Sequence, residues 1–145
     1  MGSGISGLIA VRDLYGLSTE IIGVVSEVAP SQALSFAART VVTTPSARTF
    51  VDGVACRQPD ASAVETIAAG ATDVVTVTED EAAQAIRLLY RSTHHLAEPA
   101  GAIALAALWN DRASLIGKRV AFPLCGANMD TAMAAQILSG GTPQG

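Results

Sequence analysis

The sequence predicts an α/β fold, with a largely parallel sheet and helices on both of its faces. Three short apolar runs have the character of buried strands: Glu20–Ser26, Asp73–Val77 and Lys118–Leu124. Helix-like patterns precede, separate and follow these runs, and strands that alternate with helices favour a parallel sheet. With 145 residues, half of them apolar, the chain is long enough to bury the core of one domain.

Glycine and proline set the limits of the first helices. A helix is expected from about Ser6 to Tyr15, because Gly16 can adopt the left-handed backbone that stops a helix. Pro30 opens a second helix, since its fixed φ suits the first helical turn. The stretch Thr43–Val54 contains a proline and a glycine and is expected to be irregular.

A third helix is predicted from capping residues. Asp60 and Ser62 can both accept a hydrogen bond from the first turn, and Ser62 with Glu65 has the spacing of a capping box. The helix is expected to end at Gly70, before the second strand.

Three more helices are predicted in the second half of the chain. Thr78 and Glu81 form a capping box. The helix that they begin turns one apolar stripe to the core: Ala82, Ala85, Ile86 and Leu89. Ala100–Trp109 is apolar all round, which is typical of a helix buried inside a domain. Asp130 caps a final helix to Ser139, and residues 140–145 are expected to form a flexible tail.

Composition excludes several classes of function. The formal net charge of −4 gives no basic surface for nucleic acid. No apolar stretch is long enough to cross a membrane, and no signal peptide precedes the first motif. Cys56 and Cys125 lie far apart in sequence and form no cluster typical of a metal site. A reduced, cytoplasmic setting is therefore expected.

The chain begins with a glycine-rich run, Gly2-Ser3-Gly4-Ile5-Ser6-Gly7, that leads straight into an apolar helix. Backbone N–H groups of such a loop can approach a phosphate, whose negative charge the helix dipole favours. A loop of this kind normally follows a buried strand, and none precedes it here. Either Met1 therefore begins a shortened chain, or the glycine-rich run is only the remnant of an expression tag.

The same glycines also satisfy the G-x-G-x-x-G pattern of dinucleotide-binding folds. Glu27, at the end of the next strand, stands where such folds place an acid that binds ribose. The strand that this pattern requires before the loop is missing, and an acid at a strand end is more often simply solvated. A nicotinamide-binding oxidoreductase segment stays as one alternative. A non-catalytic α/β module that pairs with a partner through an exposed sheet edge is the other.

Four stretches follow one another in a recognisable order: the glycine-rich run, Thr49–Ala55, Glu98–Ala102 and Leu124–Asp130. They resemble the tetraglycine loop, T-x-A-D-G, E-P-x-G-A and S-G-G-N-x-D motifs of the pyridoxal-phosphate enzymes of fold type II. The resemblance is greatest to the threonine and serine dehydratase branch, including hydroxyectoine-utilisation dehydratase-like proteins. It covers nearly the whole chain, and four motifs in family order are far more specific than one.

The resemblance implies that the cofactor is pyridoxal 5′-phosphate and that seven residues bind it: Gly2, Ser3, Gly4, Ile5, Ser6, Glu98 and Cys125. The first four would donate backbone N–H groups to the phosphate, and Ser6 a hydroxyl. Cys125 would face the pyridine nitrogen, where a neutral thiol does not hold the nitrogen protonated as a carboxylate would. Glu98 would lie near the ring or, alternatively, stabilise the start of its own helix. No metal is expected, because the stretch Ala29–Ala33 contains no acid.

The family's chemistry also needs a lysine that forms a Schiff base with the cofactor, upstream of the glycine loop. The one lysine here, Lys118, matches no catalytic position of the family. The resemblance therefore implies that residues 1–139 are a C-terminal, mostly large-domain segment of a dehydratase. The whole enzyme would eliminate water from a small hydroxy amino acid and release ammonia. The segment alone is expected to be inactive, and to form a homo-oligomer or associate through an exposed sheet edge.

Overall fold

Two strands and six α-helices follow one another along residues 2–145, the part of the chain that the computed structural model describes. In chain order they are α1 (Ser3–Leu14), β1 (Ile22–Ser26), α2 (Ser31–Ala38), α3 (Ala61–Gly70), β2 (Asp73–Val77), α4 (Glu79–Thr93), α5 (Pro99–Asn110) and α6 (Thr131–Leu138). A single turn of 3-10 helix, Asp52–Val54, interrupts the irregular stretch before α3. None of the described helices combines the length and apolarity needed to cross a membrane.

The sheet is parallel, as predicted, and smaller than expected. β1 and β2 pair in register from Ile22 opposite Asp73 to Ser26 opposite Val77. The prediction of a third strand at Lys118–Leu124 is wrong: this stretch belongs to no ladder among the described residues. A strand requires a neighbour for its backbone N–H and C=O groups. No described segment runs beside this stretch in that way.

Helices cover both faces of the two strands, which confirms the predicted α/β architecture. Side chains alternate between the faces of a strand. Val77 and Val24 pack into a core with α4 and α5, whereas Val74 packs into a second cluster with Ile9 of α1 and Ile67 of α3. The sheet therefore lies between two apolar layers, and α5 contacts both strands.

Most predicted helix limits are confirmed by hydrogen bonds at the caps. Both bonds of the capping box between Thr78 and Glu81 are present. The Asp60 carboxylate accepts from the Ala63 N–H at 3.0 Å and so caps α3. The predicted box between Ser62 and Glu65 does not form, because the helix has already begun and Ser62 donates its hydroxyl to Asp60 at 2.6 Å.

Two features of the C-terminal half differ from the predicted ones. α5 is buried along its first turns, but Trp109 at its end is half exposed, and the Arg112 guanidinium lies 5.1 Å from its ring centroid. Residues 140–145 turn back toward α4, where Arg87 donates to the Gly141 carbonyl at 3.0 Å and Pro143 is buried. These contacts hold part of the tail against the domain, and its flexibility stays a prediction.

Candidate functional site

The glycine-rich run forms the first turn of α1. The helix begins at Ser3, earlier than the predicted Ser6, because the left-handed turn is confined to Gly2 with φ of +94°. A Cβ on Gly2 would lie 3.1–3.2 Å from side-chain carbons of Ile67 and Ala63, and 3.4 Å from Nε2 of Gln32. The positive φ and the lack of room for a side chain therefore both favour glycine at this helix start.

The first turn of α1 presents backbone donors that the helix itself does not use. Ser6 N–H donates to the Gly2 carbonyl at 3.0 Å, whereas Ser3, Gly4 and Ile5 precede any intrahelical acceptor. No side chain among the described residues caps this turn. Gly4 has open space on the side where a side chain would stand. Free donors at a helix N-terminus suit an anion, because the helix dipole adds to their attraction.

Ile5 contributes to this turn in two ways. Its side chain packs into the apolar cluster between α1 and α3, and its Cδ1 lies 3.0 Å from the position of a Cβ on Gly23 in β1. The side chain is thus a core group that fixes the helix on the sheet, and only its backbone N–H is free for a ligand.

Two buried polar atoms without a hydrogen-bond partner belong to this region. They are Oγ of Ser6 and Nε2 of Gln32, and no other side chain among residues 2–145 has such an atom. Ser6 lies one helical turn after Gly2, and Gln32 approaches Gly2 from the start of α2. Buried polar groups are normally paired, so this cluster is chemically incomplete without a further acceptor.

The glycine turn lies at the carboxyl end of the two parallel strands. α2 follows directly after β1, and its second residue, Gln32, contacts the turn. Ligands of open parallel sheets commonly bind at this edge.

A carboxylate joins three segments at the same edge of the sheet. Oε1 of Glu79, at the start of α4, accepts hydroxyl hydrogen bonds from Ser26 at 2.6 Å and Thr49 at 2.7 Å. Its Oε2 accepts the Phe50 N–H at 3.0 Å. Ser26 is the last residue of β1 and Thr49 opens the second motif, so Glu79 fixes that motif relative to both strands.

Glu98 binds the last motif. Its backbone N–H donates to the Gly126 carbonyl at 3.1 Å, and its Oε2 accepts the Asn128 N–H at 3.2 Å. Gly126 has φ of +76°, and a Cβ there would collide with the Glu98 carboxyl group. Glu98 makes no side-chain hydrogen bond to the first turn of α5. Its carboxylate therefore holds the loop after Cys125 rather than capping its own helix.

The second and fourth motifs both meet the third one at the N-terminal turn of α5. A Cβ on Gly101 would overlap the Cys125 carbonyl oxygen. A Cβ on Gly53 would lie 2.6 Å from Cβ of Ala100 and 3.9 Å from Oε1 of Glu98. Glycine at both positions allows the backbones to approach closely. Three stretches distant in sequence thus form one cluster around the start of α5.

The structure places Glu98 against the loop that follows Cys125. Within the described part of the chain, no hydrogen bond joins the first turn of α1 to the cluster at α5. The Cys125 side chain is exposed. Lys118 is also exposed and follows a turn in which its N–H donates to the Leu115 carbonyl at 3.0 Å.

Sequence reasoning missed Gln32 and Glu79. Gln32 lies in the stretch Ala29–Ala33, where only an acid would have indicated a ligand, so a neutral amide gave no signal. Glu79 stands beside a capping box and resembles any acid in a first helical turn. Its distant partners Ser26 and Thr49 are visible only in three dimensions.

Comparison with known proteins gives one family and a consistent set of relatives. Residues 1–126 match the family described as "Pyridoxal-phosphate dependent enzyme". The chain is 33% identical over 132 residues to an L-threonine ammonia-lyase of Geobacter sulfurreducens, a match that covers 91% of this chain and 33% of that protein. It is 31% identical over 140 residues to an L-threonine ammonia-lyase of Thermotoga maritima, covering 97% of this chain and 35% of that protein.

A solved structure agrees with these sequence matches. The processed form of threonine deaminase isoform 2 from Solanum lycopersicum superposes with a TM-score of 0.86 at 26% identity, covering 96% of this chain and 42% of that one. The fold is thus that of the fold type II enzymes, and the predicted resemblance is confirmed. The chain spans about a third of the length of the curated relatives that it matches. The family's cofactor is pyridoxal phosphate, which removes the support for a nicotinamide cofactor. The chain belongs to the family of pyridoxal-phosphate dependent enzymes.

Proposed function

We propose that residues 1–139 are the C-terminal, mostly large-domain segment of a dehydratase that uses pyridoxal phosphate. The whole enzyme would eliminate water from a small hydroxy amino acid and then release ammonia. Support comes from relatives named as L-threonine ammonia-lyases, of which this chain spans about a third. A cytoplasmic setting belongs to the same proposal and rests on the two unpaired cysteines, Cys56 and Cys125.

The observation that carries this proposal is the first turn of α1. Five residues there would hold the cofactor phosphate: Gly2, Ser3, Gly4, Ile5 and Ser6. Ser3, Gly4 and Ile5 have N–H groups without intrahelical acceptors, and Ser6 has a buried hydroxyl without a partner. These donors fit the oxygens of a phosphate monoester, and the helix dipole favours its charge.

The cluster at α5 would lie beside the cofactor ring. Pyridoxal phosphate, when bound, supplies an electron-withdrawing ring for chemistry at the α-carbon of an amino acid. The Cys125 thiol would share a hydrogen bond with the pyridine nitrogen and leave that nitrogen largely unprotonated. Glu98 would position Cys125, because its backbone and carboxylate hold Gly126 and Asn128 on either side of the loop.

The chain alone is proposed to be inactive, because Lys118 does not serve as the lysine that the family's chemistry requires. Lys118 is exposed at the end of a turn, where its backbone N–H donates to the Leu115 carbonyl. Borohydride reduction in the presence of pyridoxal phosphate, followed by peptide mass spectrometry, tests this. We expect no selective labelling of Lys118. Selective, stoichiometric labelling at that residue would contradict the proposal.

Cofactor binding by the chain gives the direct test of the site. The purified protein is titrated with pyridoxal phosphate, NAD and NADP, and absorbance and thermal unfolding are followed. We expect weak stabilisation by pyridoxal phosphate alone, since only phosphate and ring contacts are available. Cys125→Asp should change the absorbance of the bound cofactor, because a carboxylate would favour a protonated ring nitrogen. Cys125→Ser serves as the matched control and should leave the spectrum unchanged.

A small amino acid is the proposed substrate, and a second copy of the chain or the remainder of a longer enzyme is the proposed partner. The exposed apolar residues Leu14, Tyr15 and Ile116 support association, since they are 79%, 71% and 83% exposed. In the stretch Lys118–Leu124, the residues after Lys118 offer free backbone groups to a neighbouring strand.

A further inference from the structure

We propose that Gln32 is an additional phosphate-binding residue, whose side-chain amide donates a hydrogen bond to the phosphate held at the first turn of α1. The inference rests on the proposed function in one respect, that the phosphate belongs to pyridoxal phosphate. It adds a donor from a different element, α2, to a site that otherwise consists of α1 alone.

The Gln32 amide is buried without a hydrogen-bond partner. The residue is only 8% exposed, and its Nε2 has no hydrogen-bond acceptor in the structure. An amide transferred from water to the interior without an acceptor is unfavourable. Gln32 lies in α2 beside Ser31, whose hydroxyl donates to the Cys56 carbonyl at 2.6 Å. Ser31 is thus paired by the fold, whereas Gln32 is not.

The Gln32 amide lies next to the residue that begins α1. Nε2 of Gln32 lies 3.4 Å from the position of a Cβ on Gly2, the residue that caps α1. The Ser6 hydroxyl, one turn further along α1, is the other buried polar atom without a partner. One unpaired amide from α2 therefore lies against the residue that caps α1, and one unpaired hydroxyl belongs to the first turns of α1 itself. A group with several acceptor oxygens would pair with all of them, and a phosphate monoester is such a group.

Two arginines on the helices of this site are engaged away from the first turn of α1. The arginines at the C-terminal ends of α1 and α2 donate to backbone carbonyls elsewhere: Arg12 to Gly70 at 2.9 Å and Arg39 to Ala68 at 3.1 Å. The donors identified at this helix start are the free N–H groups, the Ser6 hydroxyl and the Gln32 amide; all are neutral, and the helix dipole adds to their attraction. In such a site each hydrogen bond contributes a large share of the affinity, so loss of the Gln32 amide should be measurable.

The test compares Gln32→Leu and Gln32→Glu with the parent chain. Gln32→Leu removes the donor at similar volume, and Gln32→Glu keeps the shape but adds a negative charge beside the phosphate. Gln84→Leu, at an exposed glutamine of α4, is the matched control. Dissociation constants are measured for pyridoxal phosphate, for pyridoxal without the phosphate, and for inorganic phosphate. Thermal unfolding is followed with and without each ligand.

We expect Gln32→Leu to weaken binding of pyridoxal phosphate by about 10- to 100-fold, the loss typical of one hydrogen bond to a charged acceptor. Gln32→Glu should weaken it further, and Gln84→Leu should have no effect. Pyridoxal should bind all variants equally. Without ligand, Gln32→Leu should unfold at the same or a higher temperature than the parent, because a buried unpaired amide has been removed.

Three results would separate the inference from the proposed function. If the parent and both Gln32 variants bind pyridoxal phosphate equally, the inference is wrong and the proposed cofactor site stands. If inorganic phosphate binding depends on Gln32 but pyridoxal phosphate does not bind, the inference stands and the proposed function fails. If Gln32→Leu lowers the unfolding temperature equally with and without phosphate, the amide serves the fold and the inference is wrong. Gln32→Glu supplies the binding comparison if Gln32→Leu does not fold.

Discussion

The carbonyl oxygen of Cys125 occupies the space where a side chain on Gly101 would begin. The backbone nitrogen of Cys125 lies 3.4 Å from the ideal position of that Cβ. The loop that carries Cys125 therefore lies directly on the first turn of α5, and this contact exists only because residue 101 lacks a side chain. Glu98 fixes the other side of the same loop through the Asn128 N–H.

Gly101→Ala should displace the Cys125 loop. The new methyl group would overlap a backbone oxygen, and backbone cannot move aside as a flexible side chain can. We expect the free energy of unfolding to fall by about 1–3 kcal/mol, the usual cost of overpacking. Urea unfolding followed by circular dichroism measures this. Gly7→Ala is the control, because it has no neighbour within 4 Å and lies inside α1. It should raise stability by about 0.5–1 kcal/mol.

Glu79→Gln should loosen the second motif. One carboxylate oxygen accepts from Ser26 and Thr49, and the other accepts from the Phe50 N–H. The glutamine side chain keeps one acceptor oxygen, but its NH2 group would face a partner that is itself a donor. We expect a loss of about 2 kcal/mol in the free energy of unfolding. Glu65→Gln, at an exposed position of α3, should change stability by less than about 0.5 kcal/mol.

A double-mutant cycle isolates the contact between Glu79 and Thr49. Thr49→Val removes the hydroxyl that donates to Glu79 at 2.7 Å. If the pair interacts as its geometry indicates, the two substitutions together should cost less than the sum of their separate effects, by about 0.5–3 kcal/mol. Strict additivity would contradict the proposed link between the second motif and α4.

Asp60→Asn should alter the acid sensitivity of the domain. Hydrogen bonds from the Ser62 hydroxyl and the Ala63 N–H lower the pKa of Asp60 below its ordinary value of 3.8. A carboxylate with a lowered pKa in the folded state stabilises above its ordinary pKa, and this stabilisation is lost as the pH falls through the folded value. The parent should therefore be more stable than Asp60→Asn above pH 3.8, and the difference should shrink below it. Urea unfolding across this range measures the difference, and a gap that widens on acidification would contradict the cap.

Self-association follows from the apolar surface of α1 and of the stretch after α5. Leu8, Val11 and Leu14 are 52%, 52% and 79% exposed, and Ile116 is 83% exposed. Each large apolar side chain that becomes buried contributes roughly 1.5–3 kcal/mol. We expect light scattering to show oligomers at micromolar concentration. A monodisperse monomer that unfolds cooperatively with ordinary stability would contradict this expectation.

Local signals predicted most of the fold because they act within a few residues. The capping box of Thr78 and Glu81, the stop at Gly16 and the limits of β2 depend on neighbouring backbone, and the structure confirms them. The strand predicted at Lys118–Leu124 failed for the opposite reason. Strand formation depends on a distant partner, and apolar composition alone supplies none.

The candidate site could be predicted only in part, because contacts between distant segments leave no local signal in the sequence. The motif order identified the family, whereas the close approaches at Gly101 and Gly126 are visible only in the structure. Gln32 and Glu79 act across elements, so their spacing in sequence carries no information about their contacts. From the sequence, Glu98 could lie near the cofactor ring or stabilise the start of its own helix, and its hydrogen bond from the Asn128 N–H is visible only in three dimensions.

The hydrogen bonds that Glu79 accepts from Ser26, Thr49 and Phe50 also affect how fast one backbone amide exchanges with solvent. The segment between α2 and α3 contains only one short helical turn, and such segments usually exchange their amide hydrogens rapidly with solvent. The Phe50 amide, however, donates to a carboxylate anchored at the start of α4. We therefore expect the Phe50 amide to take up deuterium only when α4 and β1 open. Although it belongs to an irregular segment, it should exchange as slowly as amides in the core of the domain.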